Sequence, residues 1–320
     1  MKNKLNRDVS LDAVGGVFIV WMIITHAQQW ASINNKYLDL FNSVLFIFMG
    51  WFYFKSGMFH HPHKIEKNIK KFIVPFLLYS ALGELVYFIR LYNEDGLKWE
   101  TILIDTLREM IFLGSIKGNL PLWFLLSLFT VKFIVEKLNG IRFIHTWLFL
   151  SFVFSYLFSI VITYHSSMPL YMGNVPLGLF FYLLGYEFRE IQYNKKVFLI
   201  SLLIFVFVQS LATSDIVFRS CIVIKGNFIF CIVSSVAGIV VFNNIFKVEV
   251  LRSPFFLYIG RNSMDFYCIH WILFNITLLL FGFVITGLPD IKLFWILIIV
   301  SFTTIPIYLH FKNIIQQKLA

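Results

Sequence analysis

VSLDAVGGVFIVWMIITHAQQW, residues 9–30, carries one carboxylate, Asp12, and one imidazole, His26, in 22 residues that are otherwise uncharged. An α-helix rising 1.5 Å per residue needs about 20 apolar residues to cross a hydrocarbon core of roughly 30 Å, so this stretch reads as a membrane span. It follows a basic start but exceeds the apolar region of a signal peptide and lacks a small-residue cleavage site, so it is expected to remain as the first span. Working outward, comparable apolar blocks recur near 39–59, 72–91, 119–138, 146–164, 173–188, 197–214, 227–243, 262–283 and 290–310. The expectation is an all-α, polytopic membrane helix bundle of about ten transmembrane helices. Composition agrees: 59% of the 320 residues are hydrophobic and 14% are charged, against about 25% charged in soluble domains.

The net charge of +10 could suggest nucleic acid, but the basic residues sit between the apolar blocks, as the positive-inside rule demands. With an even number of crossings and the N-terminus inside, the cytoplasmic segments and adjoining helix ends hold most of the 27 Lys and Arg, among them Lys2, Lys4, Arg7, Lys64, Lys67, Lys70, Lys71, Lys195 and Lys196. Both termini are therefore expected in the cytoplasm, with membrane lipid as the surrounding partner and no nucleic-acid partner. In the longest outer segment, 92–120, residues 98–112 place Trp99, Ile102, Leu103, Thr106, Met110 and Ile111 at helical spacing, which predicts an amphipathic helix on the outer membrane surface. Cys221, Cys231 and Cys268 lack metal-ligand spacing and read as small buried hydrophobes. Without repeats or soluble linkers, 1–320 reads as one membrane-embedded domain.

Ionisable groups within spans cost about 2.5–3.5 kcal/mol each at a helix centre for Lys, Arg or Asp, which makes them functional candidates. They are Asp12, His26, Lys55, Glu84, Asp265 and His270. Asp12, Gly15 and His26 share one helical face, and the eleven residues from Gly15 to His26 cover about 16 Å. A neutral imidazole can take a hydroxyl proton near pH 7, which suits a general base; a histidine hydrogen-bonded inside the bundle satisfies the same pattern. The segment His60-His61-Pro62-His63-Lys64-Ile65-Glu66-Lys67-Asn68-Ile69-Lys70-Lys71 is cytoplasmic and basic. It suits either contact with anionic lipid or docking of a phosphorylated donor. Its three histidines follow no ligand pattern, so no metal is assigned.

Several separated motifs resemble the acyltransferase-3 family of bacterial multi-spanning membrane proteins. They are Leu11-Asp12 through Gly16 to His26; Phe46-Ile47-Phe48 through Ser56-Gly57; and Lys70-Lys71-Phe72-Ile73-Val74-Pro75-Phe76. Further along come Pro121-Leu122-Trp123-Phe124-Leu125, Tyr182-Leu183-Leu184-Gly185-Tyr186, and Tyr258-Ile259-Gly260-Arg261-Asn262-Ser263 with Tyr267 and His270. The resemblance covers most of the chain in matching order. It implies transfer of an acyl group, usually acetyl, from cytoplasmic acyl-coenzyme A to a hydroxyl of a cell-envelope carbohydrate or lipid-linked glycan at the bacterial cytoplasmic membrane. One departure stands out: the family has Arg or Lys eleven residues before the first-span His, where this chain has Gly15.

On that resemblance His26 activates the acceptor hydroxyl, and Lys55, at a predicted depth like that of Gly15, supplies the missing cation, with Asp12 orienting it. Lys67, Lys70, Lys71 and Arg261 are expected to hold the donor's phosphates, and His270 to contact the acceptor; Trp123 suits either stacking on a sugar ring or anchoring its helix at the membrane interface. If Lys55 compensates, its ammonium must face the interior near Gly15 rather than lipid. Two other readings use the same residues: a transporter or export subunit for a lipid-linked saccharide, and an inactive family member. A transporter predicts two similar halves or interrupted helices, and no such symmetry is visible in the sequence.

Overall fold

The computed structural model describes residues 8–61, 65–95, 99–138, 141–164, 173–190, 195–211, 215–285 and 290–319. Lys2, Lys4, Arg7 and Lys64, expected on the cytoplasmic side, lie outside the described residues. Helix α1 (Val9–Trp30) opens where Asp8 accepts a hydrogen bond from the Ser10 amide, which satisfies one of the free N–H groups of the first turn. It coincides with the first apolar block. Among the described residues, eight helical stretches are long and apolar enough to cross a membrane. Two more of the ten expected crossings, α9 (Asn174–Glu187) and α10 (Lys195–Leu211), are helices of 14 and 17 residues, shorter than the others.

The second block, 39–59, is not one continuous helix. It divides into α2 (Lys36–Leu45) and α3 (Phe48–Met58), with Phe46 and Ile47 between them. Apolar residues on both sides of the break conceal it from a hydropathy reading. After α4 (Ile65–Asn68), the chain passes through a π-helical turn at Ile69–Ile73 into α5 (Val74–Asp95). The segment predicted to be an amphipathic surface helix is helical, as α6 (Trp99–Leu113). Its Leu103, Leu107 and Ile111 face outward, while Thr106 donates to Glu84 and Glu109 pairs with Lys117 at 2.8 Å. A 3-10 turn, Lys117–Leu122, leads into α7 (Trp123–Lys137), followed by α8 (Ile144–Tyr164).

The all-helical expectation misses one element. Strands β1 (Asp215–Val217) and β2 (Ile222–Lys225) form an antiparallel hairpin in which Asp215 pairs with Lys225 and Val217 with Ile222. Three- and four-residue strands are too short to show an alternating pattern. Helices α11 (Phe228–Ile245), α12 (Pro254–Arg261), α13 (Ser263–Ile285) and α14 (Asp290–Leu319) complete the chain.

Burial is distributed as a bilayer requires. Helices α1 and α11 are mostly enclosed, whereas α5, α8 and α14 expose Leu77, Leu78, Leu82, Phe149, Leu157, Trp295 and Ile299. A water-soluble fold rarely leaves contiguous apolar surface of that extent. Two tight crossings hold the centre. A Cβ on Gly16 would strike the Phe256 carbonyl, and one on Gly260 the Asp12 carbonyl, so α1 and α12 touch backbone to backbone. Gly57 and Gly185 do the same for α3 and α9 against the Tyr182 and Phe54 carbonyls. Small residues that let backbones approach are how helices gain van der Waals contact in lipid, where hydrophobic driving force between them is absent. Four of the sequence motifs thus carry glycines that set helix spacing. The cysteines Cys221, Cys231 and Cys268 are free and buried.

Candidate functional site

Two cavities meet inside the bundle. The first, about 410 Å³, opens among α1, α3, the π-helical turn, α7 and α12 and is lined by Lys55, Ser56, Lys71, Lys132, Arg261 and Ser263 with apolar Ile19, Phe52 and Leu128. The second, about 310 Å³, is lined by Trp21, Thr25, His26, Asn42, Trp123, Trp271 and the hairpin residues Asp215 to Arg219. Met49 and Tyr267 line both. Along α1 the first cavity includes Ile19 and the second begins at Trp21, so the two come within about one helical turn of each other. Tyr267 is fixed in that partition because its hydroxyl donates to the Pro121 carbonyl. Both volumes lie at the lower end of the range for ligand sites, roughly 300–1,000 Å³.

His26 sits in the second cavity with its ring edge to edge with that of His270, centroids 5.2 Å apart and planes 7° from parallel. His26 Nδ1 lies 2.9 Å from His270 Nε2, and His270 Nδ1 lies 2.9 Å from the Tyr267 carbonyl and 3.1 Å from that of Phe266. Carbonyl oxygens only accept, so His270 Nδ1 carries the proton and its Nε2 is an acceptor. His26 Nδ1–H therefore donates to His270, which leaves the lone pair on His26 Nε2. That is the tautomer a general base needs, set by a partner that is in turn held by backbone. Trp271 closes the edge of His26 at 5.3 Å. His270 itself is fully buried and lines neither cavity, so its expected contact with an acceptor is replaced by a position behind His26. Trp123 does line the second cavity.

At the other end of α1 three charges converge. Lys55 Nζ lies 3.8 Å from Asp12 Oδ1 and donates to the Leu11 carbonyl at 3.1 Å, and Arg261 Nε lies 3.7 Å from Asp12 Oδ2. A Cβ built on Gly15 would be 3.6 Å from Lys55 Nζ and 3.3 Å from the Trp51 ring. The ammonium thus occupies the space over Gly15, facing the interior of the bundle, and a longer side chain at residue 15 would displace it. Trp51 lies under the ammonium at 5.0 Å and is itself fixed by donating to Asn243 at 2.7 Å.

Of the four cations expected to hold donor phosphates, Lys71 and Arg261 line the first cavity, whereas Lys67 and Lys70 are exposed outside its lining. All three lysines of that stretch are exposed, and Lys71 alone among them also lines the cavity. Lys132 takes a place that the sequence does not single out. It is buried, lines the cavity and reaches Tyr182 Oη at 3.4 Å. The intramembrane-charge criterion applies to it as to Lys55, because it falls inside the 119–138 block. The remaining in-span ionisables serve packing: Glu84 accepts from Thr106 and from the Gly118 amide, and Asp265 accepts from Lys312 at 2.6 Å. Among the described residues no cluster of His, Cys, Asp and Glu has a metal-binding arrangement.

No family model, curated protein or solved structure matches this chain.

Proposed function

We propose that this protein is a membrane O-acyltransferase, transferring an acyl group, acetyl by the motif resemblance, from cytoplasmic acyl-coenzyme A to a hydroxyl of an envelope carbohydrate. One observation carries the reading: a cavity lined by four cations adjoins a cavity holding a histidine with a free Nε2, across the partition of Met49 and Tyr267. Lys71, Lys132 and Arg261 bind phosphate charge in the first cavity, and its apolar wall of Ile19, Phe52 and Leu128 suits the donor's arm. The acceptor enters the second cavity, where tryptophan faces suit a sugar ring and His26 Nε2 takes the hydroxyl proton. The hydroxyl oxygen then forms the ester bond as the thioester C–S bond breaks, with the thiolate leaving on the donor side. Lys55 stands between Asp12 and the cavity as the cation that Gly15 lacks.

Counting α9 and α10 as crossings gives ten spans in a bacterial cytoplasmic membrane with both termini in the cytoplasm. The donor cavity then faces inward and the His26 cavity outward. The test is thiol release and acyl transfer by purified protein supplied with acetyl-coenzyme A and surface glycans. Activity that is lost in His26→Gln supports the reading. Neither thiol release nor transfer from any supplied acyl-coenzyme A by a monodisperse preparation rejects it and returns the cavities to a transport path.

A further inference from the structure

The hairpin between α10 and α11 puts a guanidinium in the wall of the cavity that holds the base. Arg219 lines the same cavity as His26, and the hairpin carrying it is built into the bundle rather than laid over it. Its neighbour Phe218 is buried against Phe181, ring centroids 5.6 Å apart, and Cys221 bonds to the Ser155 carbonyl. The Arg219 carbonyl accepts from Asn174 Nδ2 at 3.1 Å. Asn174 Oδ1 in turn accepts from Ser127 at 2.6 Å, and Ser127 from Tyr53 at 2.6 Å. Packing and hydrogen bonds from several helices thus fix where this one arginine stands.

Among the described residues the Arg219 guanidinium forms no ion pair and no hydrogen bond. One carboxylate comes near and is otherwise engaged, Glu109, which pairs with Lys117 at 2.8 Å; Asp215 lines the same cavity, with Lys225 opposite it in the strand register. Burial pushes the guanidinium down from its ordinary value, with Glu109 opposing the shift. Arginine nevertheless stays charged. A partly desolvated cation without an anion is costly, and a rigid fork of N–H donors matches a carboxylate or phosphate in two parallel bonds. The cavity of about 310 Å³ is of a size to hold one sugar unit, and Arg219 and His26 both line it.

We propose that the acceptor is anionic: the sugar unit whose hydroxyl meets His26 bears a phosphate or carboxylate that Arg219 binds. This rests on the acyl-transfer reading for the role of the hydroxyl, and on the cavity alone for the anion. Trp21, Trp123 and Trp271 in the wall make intrinsic fluorescence a direct readout. Purified protein in detergent is titrated with methyl glucoside, its 6-phosphate, methyl glucuronide and inorganic phosphate.

The expected result is that the 6-phosphate or the glucuronide binds about 10- to 100-fold more tightly than the neutral glucoside, the span of a charge-assisted bond. Arg219→Gln should remove that preference, and Arg219→Lys, which keeps the charge and guards against misfolding, should retain part of it. Which of the two anionic probes binds better separates phosphate from carboxylate, and competition by inorganic phosphate supports the site. Equal binding of neutral and anionic probes, or a preference that survives Arg219→Gln, overturns the proposal. Transfer from acetyl-coenzyme A to the same probes is the second arm. If Arg219→Gln lowers kcat equally for neutral and anionic acceptors with unchanged KM, the arginine serves the developing oxyanion and the proposal falls. Anion binding that depends on Arg219, without transfer to any probe, leaves the anion site standing and rejects the acyl-transfer reading alone.

Discussion

Lys55 and Gly15 share one space, which gives the proposed catalytic cation a test by paired substitution. Lys55→Met removes the ammonium 3.8 Å from Asp12 and its bond to Leu11, leaving Asp12 facing Arg261 at 3.7 Å. Loss of one charge-assisted interaction, about 1.5–3 kcal/mol, lowers acyl transfer about 10- to 100-fold. Gly15→Arg alone starts its side chain 3.6 Å from Lys55 Nζ and 3.3 Å from Trp51. Two cations about 4 Å apart repel by about 4 kcal/mol at an effective dielectric near 20, partly relieved as one swings into the inner cavity. That variant should therefore also be impaired. Combining the two changes puts a single cation back over the same position, so the double variant should exceed both single variants and come within about tenfold of the wild type. Thiol release from acetyl-coenzyme A by monodisperse protein, normalised to folded protein, measures all four forms. A double variant no faster than Lys55→Met, together with a fully active Gly15→Arg, would show that the charge over Gly15 takes no part in transfer.

His26→Gln should fold normally and lose about 10²–10⁴-fold in kcat, the usual contribution of a general base. His270→Phe should cost less and move the pH profile of kcat, because it frees the His26 tautomer without removing the base; an unchanged profile contradicts the relay. Lys132→Gln and Lys71→Gln should each raise the donor KM about 10-fold or more and leave the acceptor KM alone, whereas Lys67→Gln with Lys70→Gln should change it less than about twofold. Equal effects in steady-state kinetics would return the whole basic segment to lipid contact. Gly260→Val should destabilise the bundle by about 1–3 kcal/mol through overpacking against the Asp12 carbonyl, read as a lower midpoint in thermal unfolding in detergent.

The spans were legible because a twenty-residue apolar block has few alternatives, and α1 follows its block from end to end. The break at Phe46 and Ile47 was not, since no Pro or Gly marks it and hydropathy continues across it. His26 and Lys55 were legible as charges where charge is costly. Lys132 obeys the same rule but lies close enough to the polar end of its block to be taken for a topological residue. The hydrogen bond of His26 to His270 joins residues 244 positions apart, and only the packing of α1 on α13 creates it. Arg219 lies in a segment too short for periodicity, so its aim into the cavity depends on a hairpin that the pattern does not announce.

The partition at Met49 and Tyr267 also has an electrical meaning. On the proposed reading, the hydroxyl proton is taken up on the outer side of that barrier while the thiolate is left on the inner side. Unless the proton travels back through the partition, each turnover releases one proton outside and draws one from the cytoplasm. That is equivalent to moving one positive charge outward, against an inside-negative potential, at about 2.3 kcal/mol per 100 mV. Proteoliposomes of uniform orientation, clamped by potassium gradients, would then slow as the interior becomes more negative. A rate indifferent to voltage would mean that the proton follows the acyl group's path in reverse, with the Tyr267 hydroxyl at the crossing.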